Sequence, residues 1–473
     1  MVAGMLLFLV LPLVMGGIVY ALRRWGRLSA LLSFLTTLAL GTGILVFPLG
    51  QSLDLWGRQI VMGGTVSFLG RELILEEVDR VAIAFLYLTA SGVFLFAWRM
   101  SPRSLLFPVG FGMLSLLSGS LLIRPLIYAV LLVEIAVVMS VFALQMEGGR
   151  AAKGGLQYVS FSLLAMPGLL VIQWLMDRYA LTPDNVTLRD TAAVLLTLSF
   201  ALLMGSIPFH VWMPSVAGDS EPLASAFVFT VNYGAIWFLF LAFLETYPDL
   251  TAYARFGSLS SWAGLGMVSV GGLLGAAQRR PSRLLGYGAL VDGGAALIAL
   301  GSATEQGLGL AFLSLLVRPF GLVLMAAGVR GLRARQCPRN PRMEEMRGLG
   351  RNASWSALAF LIGGVSTAGL PVSAGFAGRW SLYRAIGTSN LTSVLAMMLA
   401  SVGVMVGVWR TLAVVLSAES AVAVEGAGRE GERWADALVV VLGVGGSIVV
   451  GLAPQLVAPT AARLAGLYTF LSP

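Results

Sequence analysis

The chain has 473 residues, of which 58% are hydrophobic and 11% are charged, and its mean hydropathy is +0.87. A soluble globular domain carries about 25% charged residues, so this composition excludes an ordinary soluble protein. It predicts an all-α, polytopic membrane protein. The formal net charge of +8 is expected from basic loops beside a membrane and does not indicate nucleic-acid binding.

Few residue types in the chain can carry redox or metal chemistry. Cys337 is the single cysteine, which excludes an internal disulfide and a cysteine-bound cluster, and Lys153 is the single lysine. The sequence has no phosphate-binding loop, no dinucleotide glycine fingerprint and no cluster with metal-ligand spacing. We therefore predict no cofactor, no metal and no catalytic residue, so the chain is not expected to be an oxidoreductase by itself. Contact with a quinone at a helix interface stays open.

About fourteen membrane spans are predicted from apolar runs of about 20 residues bounded by charges. The first run has no basic stretch before it and no cleavage site, so it is interpreted as a retained span. The approximate limits of the runs are 3–22, 29–49, 79–98, 104–123, 125–145, 154–175, 190–213, 222–244, 257–277, 284–302, 306–329, 353–383, 390–414 and 436–458.

The distribution of basic residues favours this count. When the loops are assigned to alternate sides, 19 of the 31 arginines and lysines fall on one side, which the positive-inside rule makes cytoplasmic. Both termini are then expected on the outer side of the cell (plasma) membrane. The loop at 330–351 holds seven arginines. We interpret it as a topology signal, and contact with anionic lipid headgroups is the alternative.

Residues 51–79, between the second and third spans, are too polar to cross a membrane. Within them, VSFLGRELILEEVD partly alternates apolar and polar residues. A period of two is typical of β-strands, so a short outer hairpin is predicted here.

The stretch PFHVWMP, residues 208–214, interrupts the seventh span. Pro208 cannot donate a helix hydrogen bond, and His210, the only histidine, lies between it and Pro214. The acidic turn DSEP follows at 219–222. Broken helices in membranes are tolerated where they are buried in protein or face a wet cavity, and they mark pathways for ions or substrates. A loop just outside the bilayer, after a span that ends near Ile207, is the alternative.

A second interruption, from Gly369 to Pro371, lies in the twelfth span, five spans after the first. An offset of five means that the two broken segments enter from opposite sides, as inverted repeats produce. We therefore predict two inverted five-helix repeats, each with a broken helix. The predicted division is an N-terminal three-helix segment with the hairpin at 1–103, the repeats at 104–250 and 251–415, and a C-terminal helix at 416–473.

Two carboxylates lie at membrane depth, where a charge is costly and therefore indicates function. Glu134 lies in the fifth span, and Asp292 lies in the tenth among small residues that permit close helix packing. An apolar environment favours the neutral form of a carboxylate, which suits a group that loads and releases protons. Either residue can instead be the structural partner of a buried arginine.

Three arginines and the histidine add to this set. Arg318 precedes Pro319, where a local helix break is predicted, and Arg379 follows the GLP interruption. A guanidinium stays protonated, so both are expected to tune a neighbouring carboxylate. Arg410 lies near a span end and is interpreted as structural. His210 is either a proton carrier at the broken helix or a buried histidine bonded to a backbone carbonyl.

Several motifs match known signatures. PFHVWMP followed by EPLASAF matches PFHxWLP…APxPVSAF, RLLGYGAL at 283–290 matches KRLLAYSS, and GLPVSAGFAGRW matches GxPxxxGFxGK. Glu134 matches a glutamate of the fifth span. With these motifs, roughly residues 80–412 resemble the antiporter-like membrane subunits of respiratory complex I (NADH:quinone oxidoreductase), multisubunit cation/proton antiporters and membrane-bound hydrogenases.

The resemblance implies a subunit in which a redox step elsewhere is coupled to proton transfer along buried carboxylates, lysines and histidines. The chain departs from the family at the lysines. Leu203 replaces the lysine five positions before Pro208, and Asn232 replaces the lysine after the acidic turn. Three further family positions hold other residues here: Asp292 for a histidine, Arg379 for the distal lysine and Phe320 near another lysine.

The leading interpretation is a membrane subunit of a proton-translocating, complex I-like redox complex, with a proton pathway through Glu134, His210, Asp292, Arg318 and Arg379. Its expected partners are other membrane subunits and lipid, and a peripheral redox arm is a further candidate. Two alternatives stay open. One is a component of a multisubunit cation/proton antiporter or a membrane-bound hydrogenase, and the other is a non-conducting scaffold that has lost the relay lysines.

Overall fold

The structure is a computed structural model that describes residues 2–47, 49–50, 52–55, 58–61, 63–68, 70–145, 153–251, 255–333, 341–351, 353–387, 390–417 and 434–471. Cys337, on which the exclusion of a disulfide rests, lies outside these ranges, as does part of the basic loop at 330–351. The described chain is a bundle of α-helices with small β-sheets at one end.

Eighteen α-helices are formed within the described ranges. They are α1 Leu7–Ala21, α2 Gly26–Val46, α3 Glu77–Met100, α4 Leu106–Leu122, α5 Leu126–Leu144, α6 Lys153–Leu181, α7 Val186–Met204, α8 Trp212–Asp219, α9 Pro222–Phe227, α10 Tyr233–Thr246, α11 Phe256–Ala277, α12 Pro281–Leu300, α13 Glu305–Arg333, α14 Ser354–Ala368, α15 Ala374–Ile386, α16 Leu391–Val415, α17 Trp434–Leu452 and α18 Ala458–Ala465.

The helices confirm the predicted number of spans. Eleven described segments are long and apolar enough to cross a membrane, and α4 and α14 are shorter apolar helices. The first of the eleven, Gly4–Val46, contains both α1 and α2. These two helices fold back on each other, as the 3.1 Å hydrogen bond from the Ser29 hydroxyl to the Val19 carbonyl shows. The chain is therefore a polytopic helical membrane protein, and the apolar helices of its described part account for the fourteen expected spans.

The predicted hairpin between the second and third spans is confirmed and is accompanied by a second one. Strands β4 and β5 pair antiparallel through a turn at Gly70, whose φ is +71°. Strands β2 and β3 form the other hairpin. The two sheets have the orders β1-β3-β2 and β4-β5-β6, with β1 Val2–Ala3, β2 Ser52–Leu55, β3 Arg58–Val61, β4 Gly64–Phe68, β5 Arg71–Leu75 and β6 Ile123–Arg124. By connectivity all six strands lie at one end of the bundle, called the sheet end below.

The two broken spans are built in the same way. Helix α7 ends at Gly205 with φ +68°, and α14 ends at Gly369 with φ +70°. Beyond each glycine the next amide bonds back into the helix, Ser206 to the Ala201 carbonyl at 2.8 Å and Leu370 to the Val365 carbonyl at 3.1 Å. This is the left-handed glycine cap that ends many helices. The broken helix is the fourth member of each inverted five-helix repeat, α4 to α10 and α11 to α16, while the residue boundaries given above stay a prediction.

Two prolines predicted to break helices do not do so. Pro214 lies in the first turn of α8, where its missing amide would have no helical partner in any case. Pro319 lies inside the continuous helix α13, and membrane helices tolerate such prolines because neighbouring groups satisfy the freed carbonyl. The break in the first repeat spans Gly205 to Pro208. Helix α8 after it is mostly buried and packs against Gly286 of α12, so the residues that follow the break form a helix inside the bundle and not a loop.

Helices α9 and α10 form the centre of the bundle. A π-helical turn, Val228–Asn232, joins them. In the most apolar part of Pro222–Thr246, 94% of the residues are buried. At the periphery, Arg410 donates a 2.7 Å hydrogen bond to the Ala276 carbonyl in the last turn of α11. This contact is consistent with the structural role expected for Arg410.

Candidate functional site

The second repeat contains a buried ion pair between α12 and α15, which belong to the tenth and twelfth spans of the chain. Arg379 of α15 places Nη2 2.9 Å from Oδ1 of Asp292 on α12, and the side chains are 4% and 15% exposed. Of the two explanations considered for Asp292, the structure therefore shows the arginine partner, which does not exclude a relay role. The other terminal nitrogen of Arg379, Nη1, is buried and has no hydrogen-bond partner among the described residues.

Arg318 of α13 is held by the π-helical turn at the centre of the bundle. Its Nε donates a 2.8 Å hydrogen bond to the Phe229 carbonyl, and its guanidinium lies 4.1 Å from the centre of the Tyr233 ring. A π-helical turn shifts the helix hydrogen-bond pattern and is frequent at functional sites. Here the Phe229 carbonyl accepts the arginine, and the aromatic face stabilises its charge. The buried Nη2 of Arg318 has no partner within the described ranges.

These three charged groups line one small cavity. Arg318, Arg379 and Asp292 share it with small and polar neighbours, and its volume is about 10 Å³, the space of about one water molecule. The remaining lining residues are Ser314, Val317, Gly321, Ser366 and Gly375. The structure thus brings together three of the five predicted pathway residues, with two guanidinium groups around one carboxylate.

Glu134 lies in the other repeat and has no arginine partner among the described residues. Its Oε2 accepts a 2.5 Å hydrogen bond from the Ser162 hydroxyl of α6, and its Oε1 is buried without a partner in the described part of the chain. The side chain is 8% exposed. The interpretation of Glu134 as the carboxylate of a structural ion pair is therefore not what the structure shows.

The sequence pattern did not identify two residues near Glu134, Ser162 and Tyr158. Tyr158 lies one helical turn before Ser162 on α6, and its ring stacks on Trp212 with centroids 4.4 Å apart. Its buried hydroxyl lies next to the side-chain amide of Asn232, without a well-formed hydrogen bond between them. The spacing of four between Tyr158 and Ser162 places both on one helix face. That spacing is the only signal in the sequence that could have identified them.

His210 and Leu203 do not join either group. His210 lies half-buried in the short 3-10 turn Phe209–Val211, and its Nδ1 is buried without a partner among the described residues. None of its described contacts is with a carboxylate. Leu203 is buried in the last turn of α7, where it offers only apolar contacts.

A further polar cluster holds the acidic turn between α8 and α9. Glu221 caps α9, since its Oε2 accepts a 2.8 Å hydrogen bond from a backbone amide of the first turn. Arg330 of α13 lies 3.4 Å from the other carboxylate oxygen. Arg333 donates to the carbonyls of Ser220 and Gly218 at 3.2 and 3.3 Å. The basic end of α13 thereby fixes the turn that connects the broken span to the central helix.

The fold and its buried charges define a polytopic membrane protein of the antiporter-like class. Residues 148–407 match the family model described as NADH:quinone oxidoreductase/Mrp antiporter, TM. This match covers more than half of the chain, so the chain belongs to that family.

Individual relatives agree with this assignment. The chain is 27% identical to NADH-quinone oxidoreductase subunit N of Acidithiobacillus ferrooxidans, over 80% of this chain and 81% of that one. It is 29% identical to NADH-quinone oxidoreductase subunit 14 of Thermus thermophilus, over 59% of this chain and 61% of that one.

Solved structures share the fold. A chain of the Mrp complex from Dietzia superposes with a TM-score of 0.81 at 16% identity, covering 99% of this chain and 97% of that one. A chain of respiratory complex I from Thermus thermophilus superposes with a TM-score of 0.76 at 19% identity, covering 99% and 100%.

Proposed function

We propose that the protein is a proton-translocating membrane subunit of a complex I-like redox complex in the plasma membrane. The relatives named as subunits of NADH-quinone oxidoreductase support this assignment, and they also support other membrane subunits as its partners. A peripheral arm that carries the redox centres and a quinone that accepts electrons are part of the proposal. Both chain termini are proposed to face outward.

The buried group formed by Asp292, Arg379 and Arg318 carries the proposal. A salt bridge at membrane depth is costly to form and to break, so its presence between two spans indicates a role beyond packing. Because a guanidinium keeps its proton, Asp292 is the group that gains and loses one. Protonation of Asp292 would release Arg379, and the return of its charge would draw the two together again.

In the first repeat the proposed route begins at Glu134 and continues through hydroxyl groups. Ser162 already bonds to Glu134, Tyr158 follows on the same side of α6, and its hydroxyl lies next to Asn232 at the end of the π-helical turn. Hydroxyl groups both donate and accept, so with bridging water they can pass a proton without a lysine. His210, half-buried at the break, is proposed to exchange protons with solvent. Its role rests on its chemistry alone.

Proton translocation by the intact complex tests these roles. In native membrane vesicles, we expect Glu134→Gln and Asp292→Asn each to lower redox-driven proton uptake about tenfold or more, since each removes a titrating group. Asp184→Asn is the matched control, because Asp184 is exposed in the turn before α7. If both buried variants translocate protons like the control, the chain is a scaffold without conductance.

A cation/proton antiporter component is the second candidate. The superposition on the Mrp complex chain, with its TM-score of 0.81, favours it on fold alone. Mass spectrometry of the chains that co-purify in mild detergent separates the two. Iron-sulfur and flavin subunits would support the redox complex, whereas only membrane subunits together with sodium-dependent transport would support the antiporter.

A further inference from the structure

An apolar cleft lies between α3, α13 and α17, apart from the charged cavity. Its volume is about 450 Å³, and among the described residues that line it only Thr89 and Thr460 have polar side chains. Helix α13 separates the two spaces, with Arg318 in the charged cavity and the adjoining Pro319 and Phe320 in the cleft.

The cleft is long and opens sideways. On α3 it extends from Val81 to Phe96, which at the α-helical rise is about 22 Å, from the sheet end past the middle of a bilayer. Three residues on its rim are exposed: Leu45 by 43%, Leu442 by 58% and Leu456 by 61%. In a membrane-spanning bundle this rim faces the hydrocarbon of the bilayer.

A cationic side chain lies at the sheet end of the cleft. Helix α18, which carries Thr460 of the lining, also carries Arg463, whose side chain is 69% exposed. Arg463 places Nη2 2.7 Å from Glu77 at the start of α3, and the rest of the guanidinium is accessible. Ala461 and Leu464 are buried, so α18 packs on the bundle and leaves Arg463 on its exposed face, as an amphipathic helix at a membrane interface does. The cleft therefore has an apolar interior and a donor group at its interfacial end.

We propose that this cleft binds one acyl chain of an anionic phospholipid, with the phosphate held by Arg463 at the sheet end. A lipid satisfies both features, because its apolar chain fills the interior while its headgroup stays at the interface. A helix of a neighbouring subunit fits less well, since an α-helix with side chains is about 10–12 Å across. A quinone fits less well too, because Thr89 is the one polar side chain of the described lining away from the sheet end, whereas a quinone ring needs several convergent polar groups.

The occupied cleft would support α13 on the side away from the charged cavity. Pro319 and Phe320 line the cleft, one and two residues after Arg318. The lipid chain is thus a packing element of the helix that positions Arg318. This site stands whether or not the chain translocates protons.

A glycine on the cleft wall makes the test specific. Gly92 lines the cleft, and a Cβ placed there meets no atom within 4 Å, so Gly92→Leu can fill the space without displacing the backbone. Gly17→Leu on α1 is the matched control, because Gly17 also has no atom within 4 Å and lies outside the cleft. The probe is phosphatidylglycerol with a diazirine in one acyl chain, a minor component of phosphatidylethanolamine nanodiscs that hold the intact complex.

We expect photolabelling of α3, α13 and α17 peptides in the wild type and in Gly17→Leu. Gly92→Leu should lower this labelling about tenfold or more, since displacing about two buried methylene groups has that effect on affinity. Arg463→Gln should lower labelling by phosphatidylglycerol more than labelling by the phosphatidylcholine analogue. Thermal unfolding of the complex, unchanged in Gly92→Leu, establishes that the variant is folded.

Three results would overturn the proposal. One is equal labelling of Gly92→Leu and the wild type. Another is competition of the labelling by an added quinone but not by unlabelled phosphatidylglycerol, which would assign the cleft to an isoprenoid tail. The third is a cross-link between Leu442 or Leu456 peptides and a neighbouring subunit, which would show that a protein covers the cleft.

Discussion

Gly369 and Arg379 are in direct contact across the second broken span. A Cβ at position 369 would overlap the Cγ of Arg379, and the backbone of Gly369 is in the left-handed region at φ +70°. The glycine that ends α14 therefore also makes room for the stem of the arginine that reaches Asp292. The helix break and the buried ion pair depend on the same residue.

Gly369→Ala is expected to destabilise the protein by about 1–2 kcal/mol for the left-handed backbone alone, with a further loss from the overlap with Arg379. Thermal unfolding of the detergent-purified complex measures this. Gly445→Ala on α17 is the control, since its Cβ would meet nothing within 4 Å and its change should be small. Equal stability of the two variants would mean that Arg379 can move away from position 369.

The energy of the buried ion pair can be measured by a double-mutant cycle. Arg379→Met should destabilise the protein by about 3–5 kcal/mol, because it leaves Asp292 charged and unpaired. The double variant Asp292→Leu/Arg379→Met should recover most of this loss in stability, while proton translocation stays lowered about tenfold or more. A double variant no more stable than Arg379→Met would show that the two side chains are not coupled. Denaturant or thermal unfolding and vesicle pumping provide the two readouts.

Two buried tyrosines allow a structural hydroxyl group to be compared with one on the proposed proton route. Tyr87 donates a 2.9 Å hydrogen bond to the Phe8 carbonyl, so Tyr87→Phe should cost about 1 kcal/mol and leave translocation unchanged. Tyr158 has no well-formed hydrogen bond, so Tyr158→Phe should change stability by less than about 0.5 kcal/mol. Translocation should fall in Tyr158→Phe only. The opposite pattern would remove Tyr158 from the proposed route.

The cap of α9 gives a stability prediction that is independent of the pathway. Glu221→Ala should cost about 1–2 kcal/mol, since it removes the side chain that accepts from the first turn of α9. Glu221→Gln should cost less, because its amide oxygen can still accept that bond, although the charge facing Arg330 is lost. Thermal unfolding of both variants checks the order. A larger loss in Glu221→Gln would assign the role to the charge and not to the cap.

The spans and the hairpin were predictable because bilayer thickness and strand alternation leave patterns within the sequence itself. The breaks at Pro208 and Gly369 were predictable because proline and glycine interrupt an apolar run there, and proline cannot donate a helix hydrogen bond. Pro214 and Pro319 were misjudged, since a proline breaks a helix only where its surroundings do not accommodate it. Gly205 was missed, because a left-handed cap glycine looks like any other glycine in an apolar run.

The partners of the buried charges could not be predicted, since they lie on elements far apart in the chain. Asp292 and Arg379 are 87 residues apart, and Arg318 bonds to a backbone carbonyl 89 residues away. A carbonyl freed by a π-helical turn has no signature in the side chains. The packing of α6 beside α5 brings Ser162 and Tyr158 close to Glu134, and the sequence alone does not indicate this packing.

The scarcity of lysine has a practical consequence. Lys153, the only side-chain amine of the chain, is exposed at the start of α6, at the end of the bundle opposite the sheets. Modification of the peptide that contains Lys153 by a membrane-impermeant amine reagent should therefore report on one known side chain, and the compartment in which that peptide reacts shows which face of the protein meets the cytoplasm. In the proposed orientation, this peptide is labelled in inverted vesicles and not in intact cells.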